Sequence, residues 1–145
     1  MLKYSEADSE IAIETVNAAA WCEDTDGSFF GSGNRNSTAV ATASFEHSED
    51  AVKMVKIDTV ADPRIVYIKY DVEGAEREAI LGSRETIGRD EPCLLVSLYH
   101  RSRDIFELIN YFSENYPFYK LHLCRLKCLP AWEINLIAVK GPKGK

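Results

Sequence analysis

The chain has 145 residues, of which 46% are hydrophobic and 28% are charged, and its formal net charge is −6 at pH 7. This length supports one domain with a buried core, and the composition is ordinary for a globular protein. The excess of acidic residues argues against nucleic acid or an anionic membrane surface as the main partner, because both select clustered Lys and Arg.

The first half of the chain alternates short apolar segments with polar ones. Residues 11–21 ("IAIETVNAAAW") alternate and then become small and apolar, which is typical of a strand. Alternating pieces at 28–30 and 38–45, within a segment rich in Ser, Thr, Asn and Gly, predict a hairpin-like excursion with "GSGN" at 31–34 as its turn. Residues 51–60 ("AVKMVKIDTV") indicate a strand with one exposed face.

The second half carries clearer periodicities. Residues 64–70 form a β-branched and aromatic strand, and residues 75–90 have the apolar spacing of a helix. The near-continuous apolar run at 91–100 is typical of a strand covered on both faces. An amphipathic helix follows at 102–116, for which Ser102 is a candidate N-cap.

Two alternating strands, at 118–126 and 132–141, are separated by a turn at Leu129-Pro130. This order of elements predicts a single α/β domain over residues 1–145, with a mostly parallel central sheet and an antiparallel edge. The basic residues at 141–145 are expected to form a disordered tail.

The cysteines and the polar N-terminus point to a reducing compartment. Cys22, Cys93, Cys124 and Cys128 form no C-x-x-C pair and have no matching His pair nearby, so no metal site is expected. No apolar run approaches the roughly 18 residues that a membrane span needs, and "MLKYSEADSE" does not resemble a signal peptide. We therefore expect a cytoplasmic protein with no membrane partner.

Acidic side chains follow one predicted strand, and a histidine ends the next. Asp71 and Glu73 come directly after residues 64–70, and Tyr99 and His100 close the run at 91–100. Ligands of open parallel sheets bind outside the carboxyl ends of the strands, so these side chains would converge there. Gly74 would allow a tight turn into the following helix.

A structural interpretation of the same residues stays open. Acidic side chains complement the dipole at a helix N-terminus, so Asp71 or Glu73 could simply cap the helix that follows. His100 on its own is more often a surface or packing histidine than a catalytic one.

The stretch "VYIKYDVEGAEREAILGSRETI…EPCLLVSLYH" resembles the FkbM family of S-adenosylmethionine-dependent methyltransferases. That family has an apolar strand running into I-K-x-D-x-E-G-A-E, a helix carrying L-x-G-A, and a K/R-P-x-L strand. The matching residues here are Ile68, Lys69, Asp71, Glu73, Gly74, Ala75, Glu76, Leu81, Gly82, Ser83, Pro92 and Leu94. "VNAAAW" and "VKIDTV" also occur in the family's order, so the resemblance runs from about residue 14 to about residue 139.

The resemblance implies a Rossmann-like class I methyltransferase fold that is truncated at its N-terminus. The family's glycine-rich loop after the first strand and the acidic residue after the second have no counterpart in this sequence. We therefore expect the chain to be the C-terminal portion of that fold and to bind S-adenosylmethionine weakly or not at all by itself. The implied reaction is O-methylation of a small-molecule or glycan hydroxyl.

Site roles also follow from the resemblance. Asp71, Glu73 and His100 would be catalytic, and Asn17, Ala18 and Asp71 would contact the cofactor. Glu73, Glu76, Tyr99 and His100 would bind the acceptor, with Tyr99 and His100 as general base or orienting group. Asp71 and Glu73 would orient the acceptor or accept its proton. Holding donor and acceptor in line would supply most of the rate.

Two other possibilities remain. A non-catalytic descendant could keep the sheet and serve as a scaffold or binding module, and an unrelated nucleotide-binding domain is disfavoured by the lack of a phosphate loop. In either a truncated enzyme or a scaffold, an exposed sheet edge would invite pairing with a second copy, so we expect a homo-oligomer.

Overall fold

The computed structural model describes residues 13–30, 38–41, 51–125 and 133–142. These ranges contain strands and helices in a mixed α/β arrangement. The strands are β1 (Ala19–Ala20), β2 (Thr25–Phe30), β3 (Thr38–Ala41), β4 (Ala51–Val55), β5 (Tyr67–Tyr70), β6 (Cys93–Ser97), β7 (Tyr119–Arg125) and β8 (Ile134–Lys140). The helices are α1 (Ile57–Val60), α2 (Glu76–Leu81), α3 (Arg84–Asp90) and α4 (Asp104–Asn115). None of the helices in these ranges is long and apolar enough to cross a membrane.

The first sheet has the strand order β1-β4-β2-β3. β1 runs parallel to β4, and β2 is antiparallel to both β4 and β3. The β2–β3 pair is the hairpin-like excursion that the sequence predicts, while its expected turn at residues 31–34 lies outside the described ranges.

The strand predicted over residues 51–60 ends earlier, at Val55, and a short helix follows. The Asp24 carboxylate accepts the backbone N–H of Lys56 at 2.8 Å and the hydroxyl of Thr59 at 2.8 Å. Because the Lys56 N–H bonds to Asp24, it is not available to pair with a neighbouring strand. The bond to Thr59 holds the first turn of α1. The contact spans 32 residues of sequence, so local periodicity does not reveal it.

The second sheet has the order β5-β6-β8-β7. β5 and β6 are parallel, and β8 is antiparallel to both β6 and β7. The expectation of a mostly parallel sheet is therefore wrong for the described strands, since each sheet has one parallel and two antiparallel pairs. A parallel pair needs a long crossover, and in the second sheet only the α2–α3 segment supplies one.

The helix predicted over residues 75–90 is interrupted at Gly82, between α2 and α3. A Cβ at Gly82 would fall well inside van der Waals contact with the carbonyl oxygen of Trp21. The Gly82 carbonyl accepts the N–H of Asp58 at 2.9 Å. Gly82 thus lets the end of β1 and the start of α1 approach the α2–α3 backbone directly.

The main core lies between the second sheet and the helices. α4 contributes Leu108 and Phe112, both of them buried. The helix begins at Asp104, and its N-cap is Arg103, not Ser102. No side chain forms a capping hydrogen bond there. The other nearly inaccessible hydrophobic side chains of this core are Tyr70, Ala79, Ile80, Ile87, Leu94, Val96, Leu98, Leu136 and Ala138.

Candidate functional site

The loop between β5 and α2 is held in an unusual conformation. Glu73 has φ +54° and Gly74 has φ +92°, so two consecutive residues lie in the left-handed region. Glu76 Oε1 accepts the backbone N–H of Val72 at 3.2 Å and that of Gly74 at 3.4 Å. The first residue of α2 thus folds the loop back over itself, and its side chain is fully buried.

His100 connects this buried carboxylate to the surface. Its Nδ1 lies 2.6 Å from Glu76 Oε1, and its side chain is 9% exposed. Its Nε2 lies 3.8 Å from Asp71 Oδ1 and 3.7 Å from Glu73 Oε2. Because an ionised carboxylate only accepts, Nδ1 carries the proton, and the lone pair of the neutral ring is on Nε2.

Asp71 is held by three donors. Lys69 Nζ lies 2.7 Å from Oδ2, while the hydroxyls of Tyr99 and Ser97 donate to Oδ1 at 3.0 and 3.1 Å. Partial burial pushes the pKa of Asp71 up, but the hydrogen bonds from these donors outweigh it and leave that pKa below its ordinary value. Asp71 therefore stays ionised at neutral pH.

The ionisation of His100 and Tyr99 reflects the same carboxylates. The hydrogen bond to Glu76 raises the pKa of His100 most, burial opposes it, and the charges of Glu73 and Asp71 add to the increase. Partial burial, followed by the nearby Asp71, raises the pKa of Tyr99. Tyr99 therefore remains a hydrogen-bond donor at neutral pH.

The structure brings together most of the residues that the sequence predicts for the site. Asp71, Glu73, Glu76, Tyr99 and His100 form one connected cluster, because β5 and β6 are parallel neighbours and end at the same edge.

The capping interpretation does not hold for Asp71 and Glu73. The N-cap of α2 is Ala75, and no side chain hydrogen-bonds to cap that helix.

Asn17 and Ala18 are not part of this cluster. Asn17 is exposed, and the N–H of Ala18 donates to the carbonyl of Val16 just before β1. No hydrogen bond or ion pair joins either residue to the cluster within the described ranges. Their contact with a cofactor stays a prediction.

Sequence reasoning gave no site role to four polar residues around the cluster. Ser97 and Asn135 face each other across β6 and β8 with their side-chain oxygens 3.5 Å apart. A polar residue inside an otherwise apolar strand is a signal that could have found both of them. Lys69 stands in the family motif, whereas nothing in the local sequence marks Asp104 as buried.

Comparisons with known proteins point to one family. The family model for the methyltransferase FkbM domain matches residues 3–118. The structure resembles the crystal structure of methyltransferase FkbM from Methylobacillus flagellatus KT, at 32% sequence identity and a TM-score of 0.58. That match covers 65% of this chain and 25% of the other, so the chain spans about a quarter of the solved protein. No curated protein matches the sequence. The chain belongs to the FkbM methyltransferase domain family.

Proposed function

We propose that this chain forms the acceptor side of an S-adenosylmethionine-dependent O-methyltransferase that acts on a small-molecule or glycan hydroxyl. The observation that carries the proposal is the His100–Glu76 pair, whose free Nε2 faces two solvent-accessible carboxylates at the end of β5. A buried carboxylate that orients an imidazole, with the second ring nitrogen at the surface, is the arrangement of a general base.

The charge of this edge fits a cationic methyl donor. Asp71 is 32% exposed and Glu73 is 55% exposed, and both carboxylates are available to a sulfonium cation. The sequence contains no glycine-rich loop between a strand and a helix that would receive the methionine part of the cofactor. We expect these residues to hold only the sulfonium side, with Asn17 and Ala18 as proposed adenine contacts. The bound cofactor supplies an electrophilic methyl group.

In the proposed reaction, His100 Nε2 accepts the proton of the acceptor hydroxyl. The acceptor oxygen would take the methyl group that a bound donor supplies, and Glu76 would stabilise the imidazolium until its proton passes to water. Because His100 must be neutral to act, turnover should rise with pH through its raised pKa.

For Glu76 we propose a different role from the predicted acceptor contact. Its side chain is fully buried behind His100, so we propose that it positions the imidazole rather than contacting the acceptor. Asp71, Glu73 and Tyr99 would orient the acceptor and hold it in line with the methyl donor.

Calorimetric titration with S-adenosylmethionine and S-adenosylhomocysteine tests the proposal. The two ligands share their adenosine and amino-acid groups, but only the first carries a positively charged sulfonium. We expect the wild-type chain to bind S-adenosylmethionine more tightly than S-adenosylhomocysteine. Glu73→Gln should reduce the ratio of the two affinities about fivefold, because an exposed charge pair is lost. Glu85→Gln, an exposed acid on α3, is the matched control and should leave the preference unchanged.

Two results would contradict the proposal. A preference that Glu73→Gln leaves intact would separate the carboxylates from cofactor binding. A lack of binding of either ligand at millimolar concentration would favour the non-catalytic scaffold instead.

We also propose that a second copy of the chain pairs with the free edge of β5. In the described part of the second sheet β5 has a partner on one side only, β6. Exposed apolar residues stand at its start, where Val66 is 81% exposed and Tyr67 is 50% exposed. Such an edge is a template for another strand.

A further inference from the structure

Two buried carboxylates behind His100 each carry one oxygen that lacks a hydrogen-bond donor. Glu76 uses Oε1 for His100 and the loop amides, while Oε2 is enclosed and has no partner among the described residues. Asp104, the first residue of α4, is only 2% exposed, and its Oδ2 is enclosed and unpartnered in the same way. A buried acceptor without a donor destabilises the fold, and more so when it is charged.

The fold places these two groups on adjoining elements. The N–H of Asp104 donates to the carbonyl of Arg101 at 3.0 Å, so a tight turn connects His100 to the start of α4. The charge of Glu76, on α2, acts on Asp104 across that turn. Two neighbouring acceptors that both lack a donor are satisfied together when one of them is protonated.

The charges around Asp104 favour its neutral form. Burial raises the pKa of Asp104 most, and the negative charge of Glu76 raises it further. Arg101 and Arg103 in the preceding turn oppose this increase, while Glu107, in the first turn of the same helix, adds to it.

We propose that Asp104 is a positioning residue that holds a proton and donates it from Oδ2 to Glu76 Oε2. This hydrogen bond leaves Glu76 ionised, with its other oxygen fixed on His100 Nδ1. The hydrogen bond between Asp104 and Glu76 does not depend on whether a methyl donor binds. Only its role in catalysis rests on the proposed function. In the enzyme it would keep the lone pair of His100 directed at the acceptor.

A titration followed by NMR tests the proposal without any ligand. The Asp104 carboxyl carbon and the His100 ring carbon are observed against pH in the wild-type chain and in Glu76→Gln, Asp104→Asn and Glu107→Gln. We expect Asp104 to stay protonated at neutral pH, and its midpoint to fall in Glu76→Gln, because the neighbouring charge is then gone.

The His100 midpoint distinguishes a protonated Asp104 from an ionised one. Glu76→Gln should lower it, because the main partner of the imidazolium loses its charge. Asp104→Asn should leave it unchanged, because an amide N–H replaces the carboxyl O–H without altering the charge. Glu107→Gln, an exposed acid one turn along α4, is the control for general charge removal.

Either of two results would overturn the proposal. An Asp104 midpoint below neutral pH would show that the group is ionised there. A fall of the His100 midpoint in Asp104→Asn, as large as that in Glu76→Gln, would show that Asp104 acts on His100 through its own negative charge. Neither readout involves S-adenosylmethionine, so failure here is distinct from failure of the proposed function.

Discussion

Glu73 combines an exposed carboxylate with a strained backbone. A non-glycine residue at φ +54° costs of the order of 1 kcal/mol and persists only when its surroundings enforce it. The surroundings here are the Gly74 turn and the loop amides bound by Glu76. Since the side chain of Glu73 faces His100 at 3.7 Å, we infer that the strain is tolerated for the site.

Replacing Glu73 by Asn should therefore stabilise the chain. Asn adopts the left-handed conformation more readily, so we expect the free energy of unfolding to rise by about 0.5–1 kcal/mol, measured by urea denaturation. Arg64→Asn, at φ +74°, is a control for the backbone effect away from the cluster. Destabilisation by Glu73→Asn together with stabilisation by Arg64→Asn would show that the carboxylate contributes more to stability than the strain costs.

The sequence predicted which residues of the site meet but not how they are buried. Asp71, Glu73, Tyr99 and His100 follow or end two strands, and parallel pairing alone brings them together. The burial of Glu76 depends on the left-handed loop and on His100. Neither the loop conformation nor the contact with His100 can be predicted from the periodicity of the sequence. Asp104 likewise has the same sequence context as an exposed acid in the first turn of a helix.

At the scale of elements, the close contact at Gly82 joins the two sheets. The carbonyl of Trp21, just after β1, lies against Gly82 between α2 and α3, and the side chain of Trp21 is buried with Met54 and Ala75. Any side chain at position 82 would push these backbones apart.

Gly82→Ala and Gly88→Ala should thus have opposite effects. A Cβ at Gly82 meets backbone that cannot turn aside, so we expect a loss of about 3 kcal/mol in the free energy of unfolding. Gly88 lies inside α3 with nothing within 4 Å of an added Cβ, so alanine there should add about 0.5–1 kcal/mol. Thermal unfolding of both variants gives the comparison. A Gly82→Ala variant as stable as the wild type would mean that the two sheets separate at little cost.

Local periodicity predicted the elements whose environment is simple. β5, β6, β8 and α4 have one consistent apolar pattern each, and all four are present within a few residues of the expected bounds. The break at Gly82 and the end of β4 at Val55 depend on partners far along the chain, Trp21 and Asp24. The antiparallel pairing of β8 with β6 likewise depends on residues far apart in the chain.

For the whole molecule, the question is what covers the second sheet at β5. A lysine on an edge strand normally discourages pairing through its charge. Lys69 is bound to Asp71 at 2.7 Å, so this protection is partly neutralised. The other edge of the sheet, β7, also exposes an apolar residue, Leu123, at 58%.

Light scattering after gel filtration should find the wild-type chain at about twice its monomer mass. Tyr67→Lys should return it to the monomer, because it places an unpaired lysine on the β5 edge. Leu123→Lys changes the β7 edge by the same charge and should leave the dimer intact. A wild-type monomer, or a dimer lost only in Leu123→Lys, would exclude pairing through β5.

A single oxygen atom, Glu76 Oε1, accepts from the Val72 and Gly74 amides and from His100. The shape of the loop and the proton affinity of the imidazole are therefore thermodynamically linked, and the linkage acts in both directions. A ligand that draws the loop amides away from Glu76 alters the number of protons bound by the chain, and a change of pH alters the affinity for that ligand. The heat of such a binding event includes the ionisation heat of the buffer that supplies or absorbs the protons.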